Sequence, residues 1–412
     1  MHERNPLACC TDSADCKAAE LPDPTACKET LVCLDHACVT PQGNQCGTTA
    51  DCMSPTPACS PDHVCVQCVD STGCGGATPV CDLTAHSCQP CTVDDQCSSA
   101  VCDSSGACLS ADGIVYASAS GGDSASCTQV DPCSLSKAIG EASASSLHVT
   151  LRMLPGTYSQ LLQVAAGMPF SVAATGATIA PGGGGFCLSA TAGANVTIRN
   201  LTQDMNGCAF ECRDATTRLN VVDSDLGGNG TFHDCTATLA RVKVHGAFDV
   251  VAATLEIDAG FMYAPGDTNV ITVNGSPSMR VTNSLIGGVN VADGGDVLFE
   301  FNTIYSDGGV QGGASLSGVT FRNNVIVSTT GSNSAQCASC TFSNNVVSPQ
   351  ASALAGNHIA DPKFVNAGAD FHLMLGSPAI DAASTASIDH DLDGTHRPYG
   401  SGADVGAYEF HP

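Results

Sequence analysis

Tryptophan is absent from the 412 residues, and aromatic residues together make up only 5%. The strongest stacking platform for a sugar ring is therefore missing, which leaves Tyr and Phe for any such role. Basic residues are also scarce, with 14 Lys and Arg against 40 Asp and Glu, a formal charge of −26. A field of that sign repels nucleic acid and anionic membranes, both of which select basic patches, so no nucleic-acid partner is expected. It equally repels polyuronates and other acidic glycans unless a divalent cation bridges them. No uninterrupted run of 18 apolar residues occurs, so no transmembrane segment is expected. Met1 to Cys10 lacks the apolar stretch of a signal peptide, and a trimmed or mis-started N-terminus is the expectation rather than a lipoprotein. Helix-favouring Lys, Glu and Arg are few while Gly, Ala, Ser and Thr abound, a balance that suits a β-rich, turn-rich chain.

What the chain does have is cysteine, unevenly spread. Of its 26 cysteines, 18 fall in residues 1–110. Three consecutive units each carry four: Cys46, Cys52, Cys59 and Cys65; Cys68, Cys74, Cys81 and Cys88; Cys91, Cys97, Cys102 and Cys108. Cys9, Cys10, Cys16, Cys27, Cys33 and Cys38 form a longer and less regular first unit. The residues between them offer little to bury, so covalent staples must hold this segment, each worth about 2–4 kcal/mol. Zinc is the competing reading, because Cys65/Cys68 and Cys88/Cys91 have C-x2-C spacing. Those pairs straddle unit boundaries and no His recurs at ligand spacing, so disulfides and an oxidising compartment are expected. The units resemble short Cys-rich repeats that precede larger domains in secreted bacterial surface proteins, which implies a stalk or spacer.

Beyond Val196 a short apolar strand keeps returning, often ending in Asn: VTIRN (196–200), LNVVD (219–223), ARVKV (240–244), TLEID (254–258), MRVTN (279–283), LFEFN (298–302), TFRNN (320–324) and TFSNN (341–345). Asn283, Asn302, Asn324 and Asn345 are 19, 22 and 21 residues apart. A period near twenty marks a solenoid whose units must stack to bury their apolar faces. Stacked Asn side chains can satisfy one another's amides along the stack, so these four read as an internal ladder.

Ahead of the repeats, Ile114 to Ala119 alternates as a strand. Asp131-Pro132 can then open a helix with Leu135, Ala138, Ile139 and Ala142 on one face. A second strand and the Pro155-Gly156 turn follow. This order resembles the opening of right-handed parallel β-helix proteins of the pectin-lyase-like superfamily, and a helix there would cover the open solenoid end. Cys127 and Cys133 are expected to pair across the loop before the helix. Cys208/Cys212 and Cys337/Cys340 are candidates to close local loops.

The tail carries the most specific local pattern: DPKF (361–364), FHLMLGSPAIDAAS (371–384) and DHDLDGTHRPYGSGADVGAYEF (389–410). It resembles the C-terminal signature of secreted bacterial right-handed β-helix proteins, with Ala383 and Val405 at positions usually held by Gly and Ile. Asp389, Asp391, Asp393 and Gly394 also have the D-x-D-x-D-G spacing that suits calcium, although Gly400 stands where an EF-hand needs Glu. The alternative is a turn whose carboxylates cap backbone amides and pair with Arg397.

Catalytic signals are thin. Arg241, Lys243 and His245 form the best basic group, with RVK expected to place its cations on one strand face. It resembles the R-I-K element of polygalacturonase-like hydrolases, but their N-T-D, paired Asp and G-H-G elements are missing. An exposed basic strand face is the blander reading. Acidic residues such as Asp223, Asp225, Asp249, Asp258 and Glu300 are plentiful, yet spacing singles out none as the pair a glycosidase needs.

The expected fold is all-β: a right-handed single-stranded parallel β-helix with an N-terminal capping helix. Cys-rich repeats over 1–110 precede it, the β-helix spans 111–380, and a closing segment spans 381–412. The expected role is that of a secreted or cell-surface protein in non-enzymatic adhesion, glycan binding or structure. A polysaccharide or cell-surface glycan is the implied partner. The alternative is a carbohydrate-active enzyme, either a calcium-assisted polysaccharide lyase or a glycoside hydrolase.

Overall fold

The computed structural model describes residues 46–412, apart from 47–48, 148, 166, 205–207, 263–270, 332, 351–352 and 385–387, together with strands Val32–Leu34 and Ala37–Val39. Cys9, Cys10, Cys16 and Cys27 lie outside the described residues. The chain divides into two compact units between Ala111 and Asp112.

In the first unit each four-cysteine repeat is one small antiparallel element. Cys59 faces Cys65, Cys81 faces Cys88, and Cys102 faces Cys108. The first cysteine of each repeat bonds to the third and the second to the fourth. The pairs are Cys46–Cys59 and Cys52–Cys65, Cys68–Cys81 and Cys74–Cys88, and Cys91–Cys102 and Cys97–Cys108. The C-x2-C pairs are thus engaged in separate disulfides. With so few apolar side chains between them, these staples supply what a core would.

The second unit is a parallel β-helix. Its coils contribute in turn to three sheets. Sheet A runs from Ile114–Gly122 to Thr341–Ser343, sheet B from Gly156–Tyr158 to His358–Ile359, and sheet C from Leu162–Val164 to Ala335–Cys337. Within these three sheets each inner strand pairs with its equivalents one coil below and above, and Phe364–Asn366 and Asp370–Leu373 form a separate antiparallel pair. Alternation decides which side chains point inward. In sheet A, Val196/Ile198, Leu219/Val221, Ala237/Leu239, Leu255/Ile257, Met279/Val281 and Val297/Phe299 are all buried, with Cα partners in strict register. Phe299, Phe321 and Phe342 stack face to face at 4.8 and 5.0 Å. Phe210, Phe232 and Phe248 pack edge to face in sheet C. Gly230 makes room there, because a Cβ would lie 2.2 Å from the Phe210 ring.

The open end is covered by helix α1 (Leu135–Ala144), which buries Leu135, Ala138, Ile139 and Ala142 as the periodicity requires. Its N-cap is Ser134 rather than Asp131: the Ser134 hydroxyl accepts from the Lys137 amide, while Asp131 accepts from Ser126. Ser134 is the better cap because it adjoins the first helical residue. Cys127–Cys133 pairs as expected, and so does Cys337–Cys340. Cys208 and Cys212 do not bond to each other. Cys208 joins Cys187 and Cys212 joins Cys235, each linking neighbouring coils. Both lie on one strand with side chains inward, so coil-to-coil partners are nearer than intrastrand ones.

The Asn-ended repeats resolve into two adjacent columns at the corner between sheets A and B. The first column turns the chain with positive φ: Asn200, Asp223, Arg241, Ala259, Asn283, Phe301, Asn323 and Asn344, all between 47° and 58°. Asn and Asp tolerate this conformation best among residues with a side chain. The second column, one residue later, is the ladder. The Asn302 amide donates to Asn324 Oδ1, Asn324 to Asn345, and Asn345 to Asn357, each at 2.9 Å. Ser224 and Ser284 serve the same column lower down. Asn283 therefore belongs to the turning column and not to the ladder. Its Nδ2 donates to Asp258, while Ser284 donates to Asn302.

The tail forms a second core on the outer face of sheet B. Leu285, Val325 and Val346 point outward and are buried against Phe364, Phe371, Leu373, Val405, Ala407 and Tyr408. At its centre Arg397 and Glu409, both without solvent exposure, pair at 2.6 Å. The Arg397 guanidinium also donates to the carbonyls of Asp404 and Gly406 and lies 4.6 Å over the Phe301 ring.

Candidate functional site

Arg241, Lys243 and His245 do not share one strand face. The sheet A strand of that coil is Thr236–Ala240, Arg241 is the positive-φ corner, and Lys243–Val244 begins sheet B. Arg241 grips Asp223 one coil below in a bidentate pair, Nε to Oδ1 at 2.6 Å and Nη2 to Oδ2 at 2.9 Å. The hydrogen bond to Asp223 raises the guanidinium pKa, with the Asp223 and Asp258 charges adding to it. His245 Nε2 meets Asp225 Oδ1 at 2.7 Å. Lys243 is exposed, faces Asp225 and Phe261 across sheet B, and makes no ion pair with a described residue. Two of the three are thus committed to carboxylates of the preceding coil. A lyase base must be able to lose its proton, and Arg241 is held further from that state.

The three aspartates of the tail also diverge. Asp391 is buried, and its carboxylate accepts from the amides of Asp393 at 3.0 Å, Thr395 at 2.7 Å and Glu409 at 2.8 Å. Asp393 reaches His372 Nε2 at 2.7 Å, and exposed Asp389 reaches His390 Nδ1 at 2.8 Å. Among the described residues, the groups of His, Cys, Asp or Glu ligand atoms close enough to share an ion contain only disulfide-bonded cysteines.

The outer face of sheet A presents a different arrangement. Outward positions stack in columns, with Thr238, Glu256, Arg280 and Leu298 in one and Thr236, Thr254, Ser278 and Asp296 beside it. Together they line a groove of about 230 Å³. Beside the groove Glu300, outward-facing yet fully buried, accepts from Arg322 Nε at 2.7 Å. Its other oxygen, Oε2, has no hydrogen-bond partner among the described residues and lies 3.9 Å from Arg280 Nη1. Arg280 is thus held over a buried carboxylate while half its surface stays in solvent (53%). Coils about 4.8 Å apart on a hydrogen-bonded sheet fix the spacing of these groups more firmly than a loop could.

Spacing along the chain did not pick out Arg280, Glu300 and Arg322. The available signal was their place in MRVTN, LFEFN and TFRNN: all three sit at outward positions of three successive repeats.

No family model matches the chain, and no curated protein matches it. Among solved structures it is similar to the crystal structure of pectate lyase Pel9A, at 17% sequence identity and a TM-score of 0.40, over 74% of this chain and 98% of that chain. The class of the protein, a parallel β-helix preceded by a disulfide-rich region, rests on its own sheet register and disulfides.

Proposed function

We propose that the chain is a secreted or cell-surface protein that binds neutral glycans without turning them over, through the outer face of sheet A. The single observation that carries this reading is the groove in which Thr and Ser hydroxyls, Glu256, Asp296 and Arg280 stand at fixed coil spacing. Such a face offers alternating donors and acceptors to a polyhydroxylated chain. The formal charge of −26 weighs against acidic glycans. The disulfides support an oxidising compartment, and the Cys-rich unit is read as a spacer that holds the β-helix out from a surface. The capping helix and the tail signature support kinship with secreted right-handed β-helix proteins of the pectin-lyase-like superfamily.

The committed state of Arg241 and His245 is what favours binding over catalysis. The test is a product assay on a panel of polysaccharides with and without calcium. No new reducing ends and no unsaturated products are expected. Product formation that disappears in Arg241→Ala would overturn the non-enzymatic reading.

A further inference from the structure

The segment that closes the second core also borders an open pocket of about 470 Å³, within the range of small-molecule sites. Leu375, Ile380, Tyr399 and Phe410 supply apolar walls, and Asp381 and Ser401 supply polar ones. Leu375 is 83% exposed, although Phe371, Leu373 and Ala379 near it in sequence are buried in the core, and Tyr399 is 48% exposed. Single exposed apolar side chains need no explanation, but here two of them border the same pocket as a fixed carboxylate. His411 packs against the Tyr399 ring at 4.1 Å between centroids and holds it in place.

The carboxylate is fixed as well. Asp381 Oδ1 accepts from the amides of Ser401 at 2.9 Å and Gly402 at 2.8 Å, while Oδ2 takes, among the described residues, only the Ser401 hydroxyl at 3.2 Å. Gly400 permits this close approach: its φ is +116°, and a Cβ there would lie 3.2 Å from Asp381 Oδ1. One carboxylate oxygen with spare lone pairs therefore borders an apolar pocket. A purely apolar occupant would desolvate that oxygen without replacing its hydrogen bonds. An anionic occupant would be repelled by it. A ring with a C–H face and several hydroxyl donors satisfies both walls.

We propose that this pocket binds a single neutral pyranose, with its C–H face against Tyr399 and Leu375 and its hydroxyls donating to Asp381 Oδ2 and Ser401. The proposal rests on the glycan-binding reading above but names a site lined by other residues. The test uses the full chain and a set of neutral methyl pyranosides, followed by saturation-transfer NMR and calorimetric titration. At least one pyranoside binds the unaltered chain. Tyr399→Ala weakens it about tenfold and Tyr399→Phe retains it. If Tyr399→Ala does not fold, Leu375→Ser at the most exposed wall supplies the same comparison. Absence of binding by every methyl pyranoside, or equal affinity in Tyr399→Ala and the unaltered chain, overturns the proposal. Either result leaves the groove reading standing, because that is tested with oligosaccharides and Arg280→Ala.

Discussion

His390 and Asp258, 132 residues apart in the chain, meet at 3.2 Å from Nε2 to Oδ2 and tie the tail to a sheet A strand. The same imidazole holds Asp389 through Nδ1 at 2.8 Å. His372 bridges Asp370 and Asp393 in the same manner, at 2.6 and 2.7 Å, and packs on Tyr408. The tail is thus clasped by two histidines, each between two carboxylates.

Stability of the tail should therefore fall as pH rises. The hydrogen bond to Asp389 raises the His390 pKa against burial, with Asp258 assisting. Burial opposes protonation of His372, yet Asp393 and Asp370 outweigh it, and its pKa also rises. A raised histidine contributes fully below its unfolded value of about 6.5 and loses that contribution as pH climbs through the folded value. Burial lifts Asp404 to about 6, so the folded state holds its proton longer than the unfolded chain, and this contribution too is lost as pH rises toward 6. The partners Asp370 and Asp389 are lowered and lose their contribution only on the acid side. The melting temperature should be highest near pH 5 and lower at pH 8. A double His372→Gln and His390→Gln variant should show a shallower decline.

The buried pair at the centre of the tail should be costly to halve. Arg397→Met leaves Glu409 buried with its amide contacts to Tyr399 and Asp404 but without its cation, a loss on the order of 3–5 kcal/mol. Adding Glu409→Gln should recover part of it. Urea unfolding, with limited proteolysis of the tail as a local readout, measures both.

The two corner columns should respond differently. Asn324→Ala orphans the Asn302 amide and removes one donor from the carbonyls of Phe299 and Arg322, at a cost of about 3 kcal/mol. Asn283→Gly keeps the positive φ, removes one 3.2 Å contact to Asp258, and should cost under about 1 kcal/mol. Urea midpoints of the two variants decide it; equal losses would mean that the columns are not distinct.

Much of this was legible in the sequence, for a physical reason: stacking forces a period, and the period shows in the apolar residues. Leu135, Ala138, Ile139 and Ala142 declared the capping face, and Asn302, Asn324 and Asn345 declared the ladder. Asn283 misled because two neighbouring corner positions both favour Asn, one for its tolerance of positive φ and one for its amide. The assignment of Arg241 and Lys243 to one strand failed for a related reason, since the corner is a single residue that interrupts the alternation. The second core was visible only as doubled apolar pairs such as Leu285-Ile286, Val325-Ile326 and Val346-Val347, where one residue of each faces inward and one meets the tail. The groove needed the fold, because its lining comes from four coils and its members are not near each other in sequence.

Calcium should not change the stability of the tail. Three acceptor positions of Asp391 are filled by backbone amides, and Asp389 and Asp393 turn to different histidines. Melting curves with millimolar calcium and with chelator should superimpose; a calcium-dependent rise would show that the loop rearranges to bind the ion.

The groove on sheet A is tested most directly by calorimetric titration of the full chain with neutral oligosaccharides, comparing the unaltered protein with Arg280→Ala and Glu256→Gln. At least one oligosaccharide should bind, with affinity reduced about tenfold or more in each variant, while the melting temperature of Glu256→Gln stays the same. Binding that is identical in all three proteins, or no binding by any neutral oligosaccharide, would contradict a glycan-binding groove.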